Sequence, residues 1–182
     1  TLVAGPHLPG AAAEVTKLAE LYADAHVLVG PDATAGNVLA AFERSDVVHL
    51  AAHGSFRSDS PLFSSVLLAD GPLTVYDLER VHAAPTIVVL SACDAAAAVV
   101  RTGDELLGTA TALLGLGVRS VVAPVLAIPD EATVGVMVAV HQRLRAGQPV
   151  GAALAGAVTS HRAAASSFVC IGRDEEASAE QG

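Results

Sequence analysis

The chain has 182 residues, enough for a domain with a sizeable buried core, and carries a net charge of −9 with no cluster of Lys or Arg. That balance argues against nucleic acid or an anionic membrane as a partner. Hydrophobic residues make up 52% of it and aromatics only 3%, with no Trp, so its core must be built from Ala, Val and Leu.

Leu2–Ala4 reads as a short strand ended by Gly5-Pro6. Gly10–Tyr22 reads as a helix with Val15, Leu18, Ala19 and Tyr22 on one stripe. His26–Val29 is a predicted strand, and Asp32 or Thr34 can cap a helix running through Phe42. Val47–Ala52 is a central strand, followed by a polar loop over Gly54–Leu62. Ser65–Ala69 is a strand with a turn signal at Asp70-Gly71. Thr74–Arg80 is a short helix opened by Thr74 and Asp77 at capping-box spacing. Thr86–Ala92 is the next central strand, Asp94–Thr102 a small-residue loop, and Gly103–Leu116 a helix closed by Gly117. Ser120–Val125 is a strand and Asp130–Arg145 a helix capped by Asp130. Pro149–Arg162 is a further helix and Ser167–Ile171 a last strand. Residues 173–182 form an acidic, small-residue tail expected to be disordered.

Strands alternate with helices, and the central strands are continuously apolar, as strands buried on both faces are. The expected fold is α/β, a single three-layer α/β/α sandwich over residues 1–172 with a mostly parallel sheet. The two cysteines, Cys93 and Cys170, form no disulfide framework and predict a reducing, cytoplasmic setting. No signal peptide is visible, and no apolar run is long enough to span a bilayer. The chain opens at Thr1 inside a predicted strand, as a piece of a longer protein would.

The chemistry is expected at His53 and Cys93, because each ends an apolar strand-like run. Open α/β sheets collect chemistry outside the carboxyl ends of their strands. Two such ends deliver a base and a nucleophile, the parts of a cysteine hydrolase. Gly54 lets the backbone turn, and its N–H, with that of Cys93, can point at a developing oxyanion. His49 and His53 are four apart, which on a strand is about 13 Å, too far to share one ion. No Glu stands beside them, so the zinc-hydrolase pattern fails and no metal or other cofactor is expected. His49 reads as buried and structural, hydrogen-bonded beneath the site. His7, His26, His82, His141 and His161 read as surface or filler, and Cys170 as a core cysteine.

The ordered set His49-Leu-Ala-Ala-His53-Gly54, Ser91-Ala92-Cys93 and Gly103-Asp104-Glu105-Leu106-Leu107-Gly108 resembles the CHAT domain, a caspase-like, separase-related cysteine peptidase family. Pro61-Leu62-Phe63-Ser64-Ser65, Leu67-Leu68, Val121-Val122-Ala123 with Asp130 beyond, and Phe168-Val169-Cys170-Ile171-Gly172 extend the resemblance over nearly the whole chain. It implies a caspase-hemoglobinase fold and a cysteine endopeptidase acting through a Cys–His dyad. By that resemblance His53 is the general acid/base, Cys93 the nucleophile and Gly54 the oxyanion-hole position. It also implies a protein or peptide substrate, and a preceding tetratricopeptide or other sensor region, or an activating partner, that regulates the domain.

Some caspase-like peptidases that cut after Arg or Lys carry an acidic residue two before the nucleophile, where this chain has Ser91. Separase-like relatives use an Asp beyond the following strand, and Asp130 is the nearest match. Asp130 therefore reads either as the floor of a pocket for a basic P1 residue or as a helix N-cap. Asp94 could line the same pocket, whereas Asp104-Glu105 fit the start of the next helix. The run Ala95–Ala98 stands where relatives place small polar residues or Gly. Two other functions stay open: a catalytically silent signalling or scaffold module of the same fold, and a flavodoxin-like ligand-binding domain. A scaffold needs neither His53 nor Cys93, and no phosphate-binding loop supports the flavodoxin-like reading.

Overall fold

The computed structural model describes residues 1–55, 57, 59–91, 102–126, 130–161 and 165–174, and of residues 102–108, 130 and 131 the backbone alone. The expected loop over Asp94–Thr102 lies almost wholly outside the described residues, as does the tail from residue 175. Nine strands are described: β1 (Leu2–Ala4), β2 (Val27–Leu28), β3 (Val47–Ala51), β4 (Gly54–Ser55), β5 (Ser65–Leu68), β6 (Gly71–Thr74), β7 (Ile87–Leu90), β8 (Ser120–Pro124) and β9 (Phe168–Gly172). The helices are α1 (Pro9–Ala19), α2 (Ala35–Phe42), α3 (Val75–Leu78), α4 (Thr102–Gly115), α5 (Asp130–Arg145) and α6 (Val150–Ser160).

Six strands form one sheet in the order β2-β1-β3-β7-β8-β9, parallel throughout except for β9, which runs antiparallel to β8. The fold is the expected α/β sandwich. Successive strand residues point to opposite faces. Val48 and Leu50 pack with Val38 and Phe42 of α2, Leu78 of α3 and Leu113 of α4. Ala51, Ile87 and Val89 pack with Val15 and Leu18 of α1, Met137 and Val140 of α5 and Leu154 of α6. Val48, Val88, Val89, Val121 and Val122 are wholly buried, which is why the central strands show no polar alternation.

Local chemistry sets the helix ends. Thr34, not Asp32, caps α2 by accepting from the Asn37 N–H. Thr74 and Asp77 form a reciprocal capping box that opens α3. Gly117 and Gly147, with φ of 105° and 74°, follow α4 and α5 in conformations that favour glycine. The expected loop over Gly54–Leu62 is corrected: its start is strand β4, and Pro61–Phe63 forms a 3-10 turn. β4 joins β5 and β6 in a separate three-stranded antiparallel sheet, with the Asp70-Gly71 turn between the last two. No described helix is long and apolar enough to cross a membrane.

Candidate active site

The chain leaves β1 toward β2 on one side of the sheet and builds β3, β7 and β8 on the other. The crevice beyond the carboxyl ends of β1 and β3 is therefore the topological switch point, where open α/β sheets place their sites. His7 follows β1 and His53 follows β3. Across the crevice, His53 Nε2 lies 2.9 Å from the backbone carbonyl oxygen of His7. A carbonyl oxygen only accepts, so Nε2 carries a proton and donates it, and in the neutral ring Nδ1 is the free base. The His53 side chain is half-buried, anchored at one nitrogen and reachable.

The turn after β1 aims that carbonyl. His7 has a φ of 60°, the only non-glycine residue with positive φ among those described. Gly5 donates its N–H to the Ala51 carbonyl at 2.8 Å. A Cβ on Gly5 would lie 2.6 Å from Ala52 Cβ and 2.7 Å from the Leu67 carbonyl oxygen. Only glycine fits where this turn meets the ends of β3 and β5. The His7 side chain is exposed, as the sequence predicts, and it is the backbone of His7 that meets His53. No side-chain pattern could flag it, because the atom involved is main-chain.

Gly54 is buried and opens β4, an edge strand of the small sheet. Gly54 faces Val66, and one residue earlier the Leu67 N–H donates to the His53 carbonyl at 2.8 Å. Antiparallel pairs alternate between hydrogen-bonded and non-hydrogen-bonded. His53 and Leu67 belong to the first kind, so Gly54 and Val66 belong to the second, and the Gly54 N–H points away from β5.

β7 lies beside β3 in parallel register, Val47 facing Ile87 and Leu50 facing Leu90, and the Ser91 N–H donates to the Leu50 carbonyl at 2.9 Å. Ser91 is buried at the end of β7, and its hydroxyl has no hydrogen-bond partner among the described residues. Cys93 and Asp94 lie outside the described residues. Asp130 is the first residue of α5, beyond the carboxyl end of β8, and its side chain is likewise outside them. The structure thus brings His53, Gly54 and Ser91 to the same end of adjoining strands.

Beneath the site, His49 is wholly buried, as the sequence predicts. Its Nε2 lies 2.7 Å from Glu14 Oε1 of α1, and its Nδ1 3.1 Å from Nε2 of His141 on α5. The His141 Nδ1 meets the Tyr22 hydroxyl at 2.8 Å. The reading of His141 as surface or filler is corrected: it is wholly buried. Burial first, then His49 and the Thr1 α-amino group, holds its imidazole well below the usual range. Cys170 is also less interior than expected. It is half-buried on the sheet edge, and burial with the nearby Asp174 raises its thiol pKa, which favours the unreactive thiol. Among the described residues no three His, Cys, Asp or Glu gather to hold a metal.

The model of the CHAT domain matches residues 1–167. Among solved structures, the Arg-specific cysteine proteinase gingipain R superposes on 97% of this chain with a TM-score of 0.63 at 13% identity. The chain spans 45% of that proteinase, and at such identity the likeness is one of fold. A comparison with curated protein sequences gives no match. Matched by the family model over nearly its whole length and folded like gingipain R, this chain belongs to the CHAT domain family.

Proposed function

We propose that the domain is a cysteine endopeptidase in which Cys93 is the nucleophile and His53 the general acid and base. One observation carries this reading. β3 and β7 pair in parallel register 40 residues apart as far as Leu50 with Leu90, and His53 and Cys93 have that same separation in the sequence. In the reaction, the Cys93 thiol gives its proton to His53 Nδ1 and the sulfur attacks the scissile carbonyl carbon. The carbonyl electron pair moves to oxygen, facing the N–H groups of Gly54 and Cys93. As the intermediate collapses, the C–N bond breaks and the leaving amine takes the proton from Nδ1. Water then cleaves the thioester, its proton passing through Nδ1 back to sulfur.

The substrate in this reading is a protein or peptide with a basic P1 residue, held by Asp130 with Ser91 and Asp94 lining the pocket. Residues 1–172 act as one cytoplasmic unit, regulated by a preceding repeat region or an activating partner. The test is labelling by an electrophilic peptide probe with Arg at P1, alongside cleavage assays of the full-length protein with its activator. Labelling should map to Cys93, and Cys93→Ala or His53→Ala should abolish cleavage while circular dichroism stays unchanged. Unaltered cleavage by Cys93→Ala overturns the proposal. Asp130→Asn should selectively impair cleavage after Arg or Lys; an unchanged P1 profile leaves Asp130 a helix-terminal residue only.

A further inference from the structure

Four side chains from separate elements form one continuous buried hydrogen-bonded chain: Glu14 of α1, His49 of β3, His141 of α5 and Tyr22 from the segment after α1. Glu14 is 3% exposed and both histidines 0%, so the chain has no access to water along its length. Its outer end does. Tyr22 and the edge of His141 line a cleft of about 1050 Å³ at the amino-terminal edge of the sheet, opposite the candidate active site. Burial raises the Tyr22 hydroxyl to about 12, so it stays protonated at neutral pH.

Counting protons along the chain leaves two self-consistent states. With Glu14 as a carboxylate, which only accepts, His49 donates from Nε2 and accepts at Nδ1. His141 then donates from Nε2 and accepts at Nδ1 from the Tyr22 O–H. Every link runs inward, toward a buried negative charge. Adding one proton reverses the two outer links without breaking any. Solvent protonates the Tyr22 oxygen as its own proton passes to His141 Nδ1, and His141 passes its Nε2 proton to His49 Nδ1. Tyr22 and His141 end neutral, and the added proton resides in the Glu14–His49 pair. The two buried groups then carry no net charge, which a poorly solvated interior favours.

We infer that Glu14, His49, His141 and Tyr22 form a proton-storing relay that loads from the cleft as pH falls and changes the charge beneath the strand carrying His53. His141 changes only which nitrogen bears its proton, in keeping with burial disfavouring its charged form. Among the described residues, ionisable groups gather at the relay's outer end. The Arg145 guanidinium sits 5.6 Å from the Tyr22 ring centroid. The Thr1 α-amino group, Asp24, His26, Arg44 and Asp46 line the same cleft. The inference does not depend on peptidase chemistry at the opposite edge.

Imidazole nitrogen NMR of the 15N-labelled protein between pH 8 and pH 5 tests it. The expected result is a single step in which His49 Nδ1 becomes protonated while the His141 proton moves from Nε2 to Nδ1. In Glu14→Gln, where no carboxylate remains to balance the proton, that step should vanish from the range. The relay is overturned if His141 becomes doubly protonated, if the two rings change at different pH, or if neither changes. Persistence of the step in folded Glu14→Gln overturns it as well. The coincidence of the two rings is read on the unsubstituted protein, so the test stands even if the variant does not fold.

Discussion

The ring of His53 is held by a backbone atom, the carbonyl oxygen of His7, 2.9 Å from Nε2. The side chain of His7 is therefore dispensable to this contact, whereas its backbone conformation is not. His7→Gly keeps the oxygen and removes the cost of a φ of 60°, about 1 kcal/mol. Stability should be unchanged or higher, with the proposed peptidase activity retained. His7→Pro forces φ to about −65° and moves the oxygen. It should lower kcat/KM roughly tenfold to a hundredfold, part of the ~10²–10⁴ that a positioned acid–base group contributes. Activity and urea denaturation measured side by side check the contrast, and equal activity in the two variants would dismiss the carbonyl as an orienting group.

Gly5→Ala tests the same turn from its packing. The new methyl would collide with Ala52 and with the Leu67 backbone, neither of which is the end of a flexible side chain. Overpacking of this kind costs about 1–3 kcal/mol. A lower urea midpoint should accompany reduced activity, because the shift displaces the residues leading to His7. A midpoint equal to that of the unsubstituted protein would show that the turn yields freely.

Ser91 carries a buried hydroxyl with no partner among the described residues. Removing an unsatisfied hydroxyl recovers its desolvation cost, so Ser91→Ala should stabilise the fold by about 1 kcal/mol. The backbone bond from Ser91 to Leu50 is untouched by the change. Equilibrium urea unfolding gives the sign, and a loss of stability would contradict an unpartnered hydroxyl.

What the sequence made legible were features written in side-chain pattern. The apolar runs marked β3, β7 and β8, and Thr74 with Asp77 marked the start of α3. His53 and Gly54 stood out because they end such a run. The missed features depend on contacts between distant segments. Strand β4 is two residues long and exists through pairing with β5, so Gly54–Ser55 has no periodicity of its own. His141 lies in a helix whose neighbours give no sign of a buried imidazole. Its partner His49 is 92 residues away, and Glu14, charged and on a helix, would ordinarily face water.

The capping box gives a pH dependence with a definite sign. Hydrogen bonds from the Thr74 hydroxyl and N–H hold the Asp77 carboxyl below its usual value. A depressed folded-state value means that this contribution is present above the unfolded carboxyl's pKa, about 3.9. It is lost as pH falls through the lower folded value. Asp77→Asn should therefore be less stable than the unsubstituted protein at pH 6, by up to about 1 kcal/mol. The difference should shrink below pH 4. Thermal melts of both proteins across that interval check it, and a pH-independent gap would remove the carboxylate from the cap.

His141→Leu probes the relay as a structural element. Leucine fills much of the ring's volume but leaves His49 Nδ1 without its partner inside the core and strands the Tyr22 hydroxyl. A buried polar group left unpaired costs about 1–3 kcal/mol, and His49 has no route to water, so the upper end applies. Tyr22→Phe removes only the outer link, which faces the cleft, and should cost about 1 kcal/mol. Groups that share one hydrogen-bonded network are not additive. Tyr22→Phe should therefore cost little once His141→Leu is in place, because the bond it breaks is already gone. A double-mutant cycle by urea denaturation measures this coupling, and strictly additive losses would show that Tyr22 and His141 stabilise the fold independently.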